Sequence, residues 1–139
     1  ESSDINTATF AQRTVSAYLG AGHHVRHIET IRDFYRERRD AMASALSRHF
    51  PGGARWRTPA SGVFMWVELA EAIDTGELLR ETALEEKVAY VPGNVFCVNG
   101  TRLGSNCMRL NFSHCHPAQI EEGIARLGAV VKRALARNL

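Results

Sequence analysis

The stretch that most restricts the fold is 107–135, where an alternating run, "CMRLNF" (107–112), passes through "SHCH" into a helix-patterned segment. In an extended chain alternate side chains share a face, so Met108, Leu110 and Phe112 point one way while Cys107 and Arg109 point the other. Pro117 then stands at a first helical position, where its missing N–H is no loss, and Gln119 is placed to reach back to the cap. Ile120, Ile124, Leu127, Val131 and Leu135 recur as one apolar stripe. Glu121 and Glu122 come early, and Lys132, Arg133 and Arg137 late, as the helix dipole favours. A one-faced strand feeding a one-faced helix must fold so that the two apolar surfaces meet. A chain of 139 residues is long enough for one compact domain with a core.

Upstream, Asn6 or Thr7 can cap a first helix carrying Phe10, Thr14, Tyr18 and Leu19, which stops at "GAG" (20–22). A second helix is predicted from about Val25 to Arg48, with Val25, Ile28, Ile31, Tyr35, Met42 and Leu46 on one stripe that Arg38–Arg39 interrupts. It is roughly 35 Å long and ends at "PGG" (51–53). "ARWRT" (54–58) reads as a short strand. "GVFMWVEL" (62–69) is apolar on both faces, the pattern of a strand buried on each side. Residues 75–87 are predicted as a helix and "VAYV" (88–91) as a strand, with Pro92–Gly93 forming a type II turn whose glycine takes positive φ. The sum is an α+β chain.

The bulk numbers exclude several functions. Seventeen basic and fifteen acidic side chains are interspersed and leave a net charge of +2, so no basic face for nucleic acid or an anionic membrane is evident. There is no run of about 20 apolar residues to span a bilayer. The basic segment "RDFYRERRD" (32–40) carries Asp33, Glu37 and Asp40, and reads as a solvated face with i, i+4 pairing. The opening "ESSDIN" has no signal-peptide pattern and no initiator Met, which suggests a fragment or processed product. Cys97, Cys107 and Cys115 form an odd set without CxxC spacing, which fits a reduced, cytoplasmic compartment.

"NCMRLNFSHCHP" (106–117) invites a metal reading, but extended geometry puts Cys107 and Cys115 ~26 Å apart at ~3.3 Å per residue. In the only other histidine cluster, "GHHVRH" (22–27), His23 and His27 are i, i+4, but exposed histidines are common at a helix start and the strong spacing of a zinc site is missing, so no metal is expected. Free cysteines behave mostly as small buried hydrophobes, which weakens a thiol nucleophile as well. Arg109 stands apart. It is centred on a strand whose other face has a core to join, and a guanidinium is costly to bury without an anion. It either pairs with a structural carboxylate, the commoner arrangement, or receives an anionic ligand, for which its planar fork suits a carboxylate.

The runs "VAYVPGNVF" (88–96) and "NCMRLNFSHCHPAQIEEGIARLGAVV" (106–131) resemble the C-terminal part of class I/II aminotransferases, the pyridoxal-phosphate enzymes of fold type I. Within that family they most resemble the subgroup containing 2-aminoadipate, kynurenine and related aromatic aminotransferases. "GVFMWVEL" (62–69) and "SSDINTATFAQRTVSAYL" (2–19) also resemble family segments, so the similarity spans nearly the whole chain. The resemblance implies the small domain of that fold: a mainly antiparallel sheet of roughly three to four strands, covered by helices and preceded by a long interdomain helix. Residues 1–22 would be a connector and 23–139 the small C-terminal domain.

It further implies that Arg109 grips the substrate carboxylate, with Gly93 and Phe96 near the substrate side chain. Amino acids and 2-oxo acids would be the substrates, pyridoxal 5'-phosphate the cofactor, and a homodimer the working form. In the family the Schiff-base lysine precedes the segment matched here, so no catalytic residue is expected among these 139 and the fragment alone should be inactive. The only lysines, Lys87 and Lys132, lie outside the motifs. An aminotransferase-like sensor domain of a transcriptional regulator is the alternative, and upstream sequence would separate the two.

Overall fold

The structure, a computed structural model, describes residues 8–97 and 103–137, without the side chains of 82 and 83. The chain divides into two compact units, Glu1–Phe34 and Tyr35–Leu139. In the first, α1 (Thr9–Gly20) turns through Ala21 and Gly22 into α2 (His23–His49). Gly22 takes φ +73°, a conformation that favours glycine, and the turn is closed by N–H bonds from Ala21 to Ala17 and from Gly22 to Leu19. No residue of α1 is buried, and Phe10, Val15 and Leu19 stand exposed. The helix starts beside Ala8, which makes no side-chain cap; the proposed caps Asn6 and Thr7 lie outside the described residues.

In the second unit, the C-terminal part of α2 sends Met42, Ala45 and Leu46 into the core. Arg38 is buried with them, at 7% exposure, so the solvated face predicted over 32–40 fails at that position. A helix packed along one side places every third or fourth residue inward whatever its charge, and Arg38 shares the stripe of Met42 and Ala45.

The described residues hold a four-stranded antiparallel sheet: β1 (Arg55–Trp56), β2 (Phe64–Glu68), β3 (Val91–Pro92) and β4 (Cys107–Asn111), ordered β1-β2-β4-β3. Its fold class is α+β, as the sequence implied. Met65 and Val67 of β2 and Met108 and Leu110 of β4 are buried together with Phe112 in the core shared by α2 and α4 (Pro117–Arg137). The expectation that β2 is buried on both faces fails: Phe64 and Trp66 are each 41% exposed. An all-apolar run reads as doubly buried, but the helices cover one face, and on the other Phe64 lies against Arg109.

The closing helix follows its sequence closely. Ile120, Ile124, Leu127 and Val131 are buried, and Gln119 Oε1 accepts the His116 N–H at 2.9 Å. Gly128 lets α4 pass close to the end of α2, since a Cβ there would sit 2.5 Å from the His49 carbonyl oxygen.

Between β2 and β4 three expectations are corrected. The helix predicted over 75–87 is short: α3 (Thr75–Leu78) runs into a π-helical segment (Leu79–Ala83) and then a turn. Asp74 caps it, accepting from the N–H groups of Gly76 and Glu77 at 2.8 and 3.0 Å. The strand predicted over 88–91 shrinks to Val91–Pro92, because Tyr90 is committed elsewhere: its hydroxyl donates to the Thr75 carbonyl at 2.7 Å. Pro92, which has no N–H to give a ladder, suits this edge strand. The type II turn is replaced by a 3₁₀ turn, Gly93–Phe96, and Gly93 does not have positive φ. Glycine is required there for close approach instead, since a Cβ would lie 2.4 Å from the Gly104 carbonyl oxygen and 2.6 Å from Cys107 Cβ.

Candidate substrate-binding site

The uncovered face of the sheet is built by alternation. β4 turns Cys107, Arg109 and Asn111 away from the core, and β2 turns Phe64, Trp66 and Glu68 the same way. Arg109 lies in an inner strand, opposite Trp66 on one side and Val91 on the other. Its guanidinium carbon is 4.1 Å from the centroid of the Phe64 ring and 4.5 Å from that of Phe96, the latter carried by the 3₁₀ turn. Trp66 meets Phe96 edge-on at 5.7 Å. Gly93 begins that turn and is buried against the β4 backbone, so its close approach to Cys107 sets where Phe96 stands.

Arg109 makes no ion pair among the described residues, and its Nε is buried without a hydrogen-bond partner. The structural carboxylate that spacing alone favours is therefore not found there. Several other charged groups in this unit are paired: Arg55 with Glu68, Arg133 with Glu86, and Arg48 and His49 with Glu121. A buried donor left open costs about 1–3 kcal/mol, a cost an anionic ligand would offset.

The neighbours on this face have other tasks. Asn111 Oδ1 accepts from the Ser113 N–H and hydroxyl, each at 2.7 Å. Burial pushes the Cys107 thiol up, outweighing a hydrogen bond with Trp66 that acts the other way, which keeps it a thiol rather than a thiolate nucleophile. Cys115 is exposed on the loop before α4, and among the described residues no three His, Cys, Asp or Glu side chains converge as metal ligands. Among the described residues, no helix is long and apolar enough to cross a membrane. A separate cleft of about 980 Å³ is lined by Glu68, Glu71, Asp74, Glu77 and Glu81, with Arg137 its one cationic side chain, and repels anions.

The two lysines do not fit a cofactor imine. Lys87 is exposed in a turn at φ +57°, and Lys132 is exposed on α4, the helix that packs on the opposite side of the sheet from Arg109. Neither is the desolvated amine such chemistry uses. The sequence reading picked out Arg109, Phe96 and Gly93 but missed Phe64 and Trp66. Their signal was present: in "VFMWVE" (63–68) they alternate with Met65 and Val67, so burying one pair exposes the other.

Residues 2–127 match the family model for aminotransferase class I and II. The chain is 41% identical over 137 residues to aromatic-amino-acid aminotransferase 1 of Thermococcus litoralis, covering 99% of this chain and 32% of that protein. The crystal structure of a multiple substrate aminotransferase from Thermococcus profundus superposes with a TM-score of 0.90 at 40% identity, over 96% of this chain and 32% of that one. That of the alpha-aminoadipate aminotransferase of Thermus thermophilus, complexed with N-(5'-phosphopyridoxyl)-L-leucine, gives 0.85 at 39% identity, over 96% and 33%. The chain thus spans about a third of the length of the relatives it matches. With the family model matching most of its residues and the same fold recurring in solved relatives, the chain belongs to the class I and II aminotransferases.

Proposed function

We propose that this chain is the small-domain part of a pyridoxal-phosphate-dependent aminotransferase and that Arg109 grips the carboxylate of its amino acid and 2-oxo acid substrates. The observation that carries the reading is the Arg109 guanidinium, set on an uncovered sheet face with a buried, unpartnered Nε and no carboxylate beside it. A planar fork holds a carboxylate through two parallel hydrogen bonds, which fixes the rotation of the substrate as well as its position. Phe96 and the Gly93 turn stand next to that fork and face the substrate's side chain. Residues 1–22 connect, and 23–139 form the small domain. Pyridoxal phosphate supplies the electron sink for amino-group transfer, and the residues that hold it belong to the part of the family's length not spanned here. A homodimer is the working form that the family resemblance implies.

In the full-length holoenzyme, Arg109→Lys should raise KM for amino acid and 2-oxo acid alike by roughly 10- to 100-fold, the loss of one charge-assisted hydrogen bond. An unchanged KM for every substrate would overturn the assignment. A sensor domain of a transcriptional regulator would share the carboxylate grip, so turnover by the full-length protein separates that alternative from the enzyme.

A further inference from the structure

An arginine side chain forfeits up to about 2 kcal/mol of rotamer freedom when it is fixed, and an ion pair usually compensates. Arg109 has no such partner among the described residues, yet its guanidinium carbon lies over two aromatic rings, Phe64 at 4.1 Å and Phe96 at 4.5 Å from the ring centroids. The two rings come from separate elements, β2 and the 3₁₀ turn, and Trp66 braces the second through its edge-on contact.

We infer that Phe64 is a positioning residue: with Phe96 it forms an aromatic clamp that holds the Arg109 fork ready for a carboxylate without using any of its N–H groups. The inference rests on the reading of Arg109 given above. A cation is attracted to the face of a ring, while its N–H donors lie in the guanidinium plane and point outward. A carboxylate partner would hold the arginine equally well but would occupy the donors that a substrate needs. The clamp separates the two tasks, with ring faces restraining the plane and the plane's edge left for the ligand. The clamp also explains why large aromatic side chains occupy the uncovered face of β2, where exposure would otherwise favour polar ones.

Phe64 is 41% exposed and outside the buried core, so its replacement spares the fold. The test compares Phe64→Leu and Phe64→Tyr with Arg109→Lys in the full-length holoenzyme. Phe64→Leu keeps an apolar side chain and removes the ring, and should raise KM for both substrates by roughly three- to tenfold with kcat within about twofold. Phe64→Tyr restores the ring and should restore KM. An independent readout is the Arg109 Nε–H resonance of the full-length holoenzyme, which the ring faces shift upfield and which Phe64→Leu, but not Phe64→Tyr, moves downfield. If Arg109→Lys raises KM while Phe64→Leu leaves both KM and the resonance unchanged, the clamp is wrong and the carboxylate assignment stands. If Phe64→Leu lowers Tm and kcat at constant KM, its role is merely structural and the inference falls. If neither substitution moves KM, the carboxylate assignment itself fails.

Discussion

The two faces of the sheet come from the same alternating strands, yet one presents Met65, Val67, Met108 and Leu110 to the helices and the other leaves Phe64 and Trp66 part-exposed beside Arg109. On the covered face, stability comes from apolar area removed from water, at about 25 cal/mol per Å². On the uncovered face the apolar rings do something else: they restrain a cation. Hydrophobicity alone does not distinguish these tasks, since Phe64 is as apolar as Phe112. What distinguishes them is which neighbour the tertiary fold supplies, α2 and α4 in one case and a guanidinium in the other. A mutation on either face should therefore be read out differently, as lost stability on one and lost ligand affinity on the other.

The strongest test of that division is Leu110→Ala. This side chain is 4% exposed, and its truncation should cost about 2–5 kcal/mol in urea or thermal unfolding. A cost below about 1 kcal/mol would mean that the covered face is not the stabilising one. Next comes Gly93→Ala, which links the faces. The added methyl meets backbone at Gly104 and the Cβ of Cys107, so the 3₁₀ turn must shift, at about 1–3 kcal/mol, and Phe96 shifts with it. Stability and KM should both worsen, and a change in stability alone would detach the turn from the site.

Arg109→Met should behave in the opposite sense to Leu110→Ala. Removing an unpaired guanidinium with a buried Nε leaves unfolding free energy within about 1 kcal/mol of the parent, or raises it, while carboxylate affinity is lost. A large destabilisation would reveal a structural role. The smallest effect concerns a charge cluster that does have its counter-ions. Glu121 accepts from Arg48 and lies 2.7 Å from His49 Nε2, and these contacts, Arg48 first, hold its carboxyl below the ordinary value. A carboxyl lowered in the folded state contributes stability above its unfolded pKa and loses it as pH falls through the folded value. Unfolding midpoints below about pH 4 should therefore fall less steeply in Glu121→Gln than in the parent. The difference should shrink in high salt, because the pair is solvent-exposed. An identical acid limb in the two proteins would remove this tie between α2 and α4.

How much was legible follows from where each signal resides. The closing helix could be read in full because its cap, stripe and charge order are all local: Gln119 reaches back, and Ile120, Ile124, Leu127 and Val131 point inward. Arg109 was legible because period-two alternation set it opposite a row of core residues. The segment 75–92 was misread because its local propensities yield to distant partners. Thr75 is fully buried, with its hydroxyl 2.6 Å from the Cys107 carbonyl and its own carbonyl taken by Tyr90. Those bonds cross between segments far apart in the chain, and no window of neighbouring residues contains them.

By itself, then, the sequence determined the α+β class, the two strands and the helix that make the core, and the place of Arg109 on the strand face turned away from that core. Those features depend on periodicity, which is a property of consecutive residues. Only the tertiary structure decided that β2 is covered on a single face, that Gly93 serves close packing rather than a positive φ, and that the Arg109 guanidinium lies over the rings of both Phe64 and Phe96. Each of these depends on a contact between segments brought together by folding, where the energy depends on distance in space rather than along the chain.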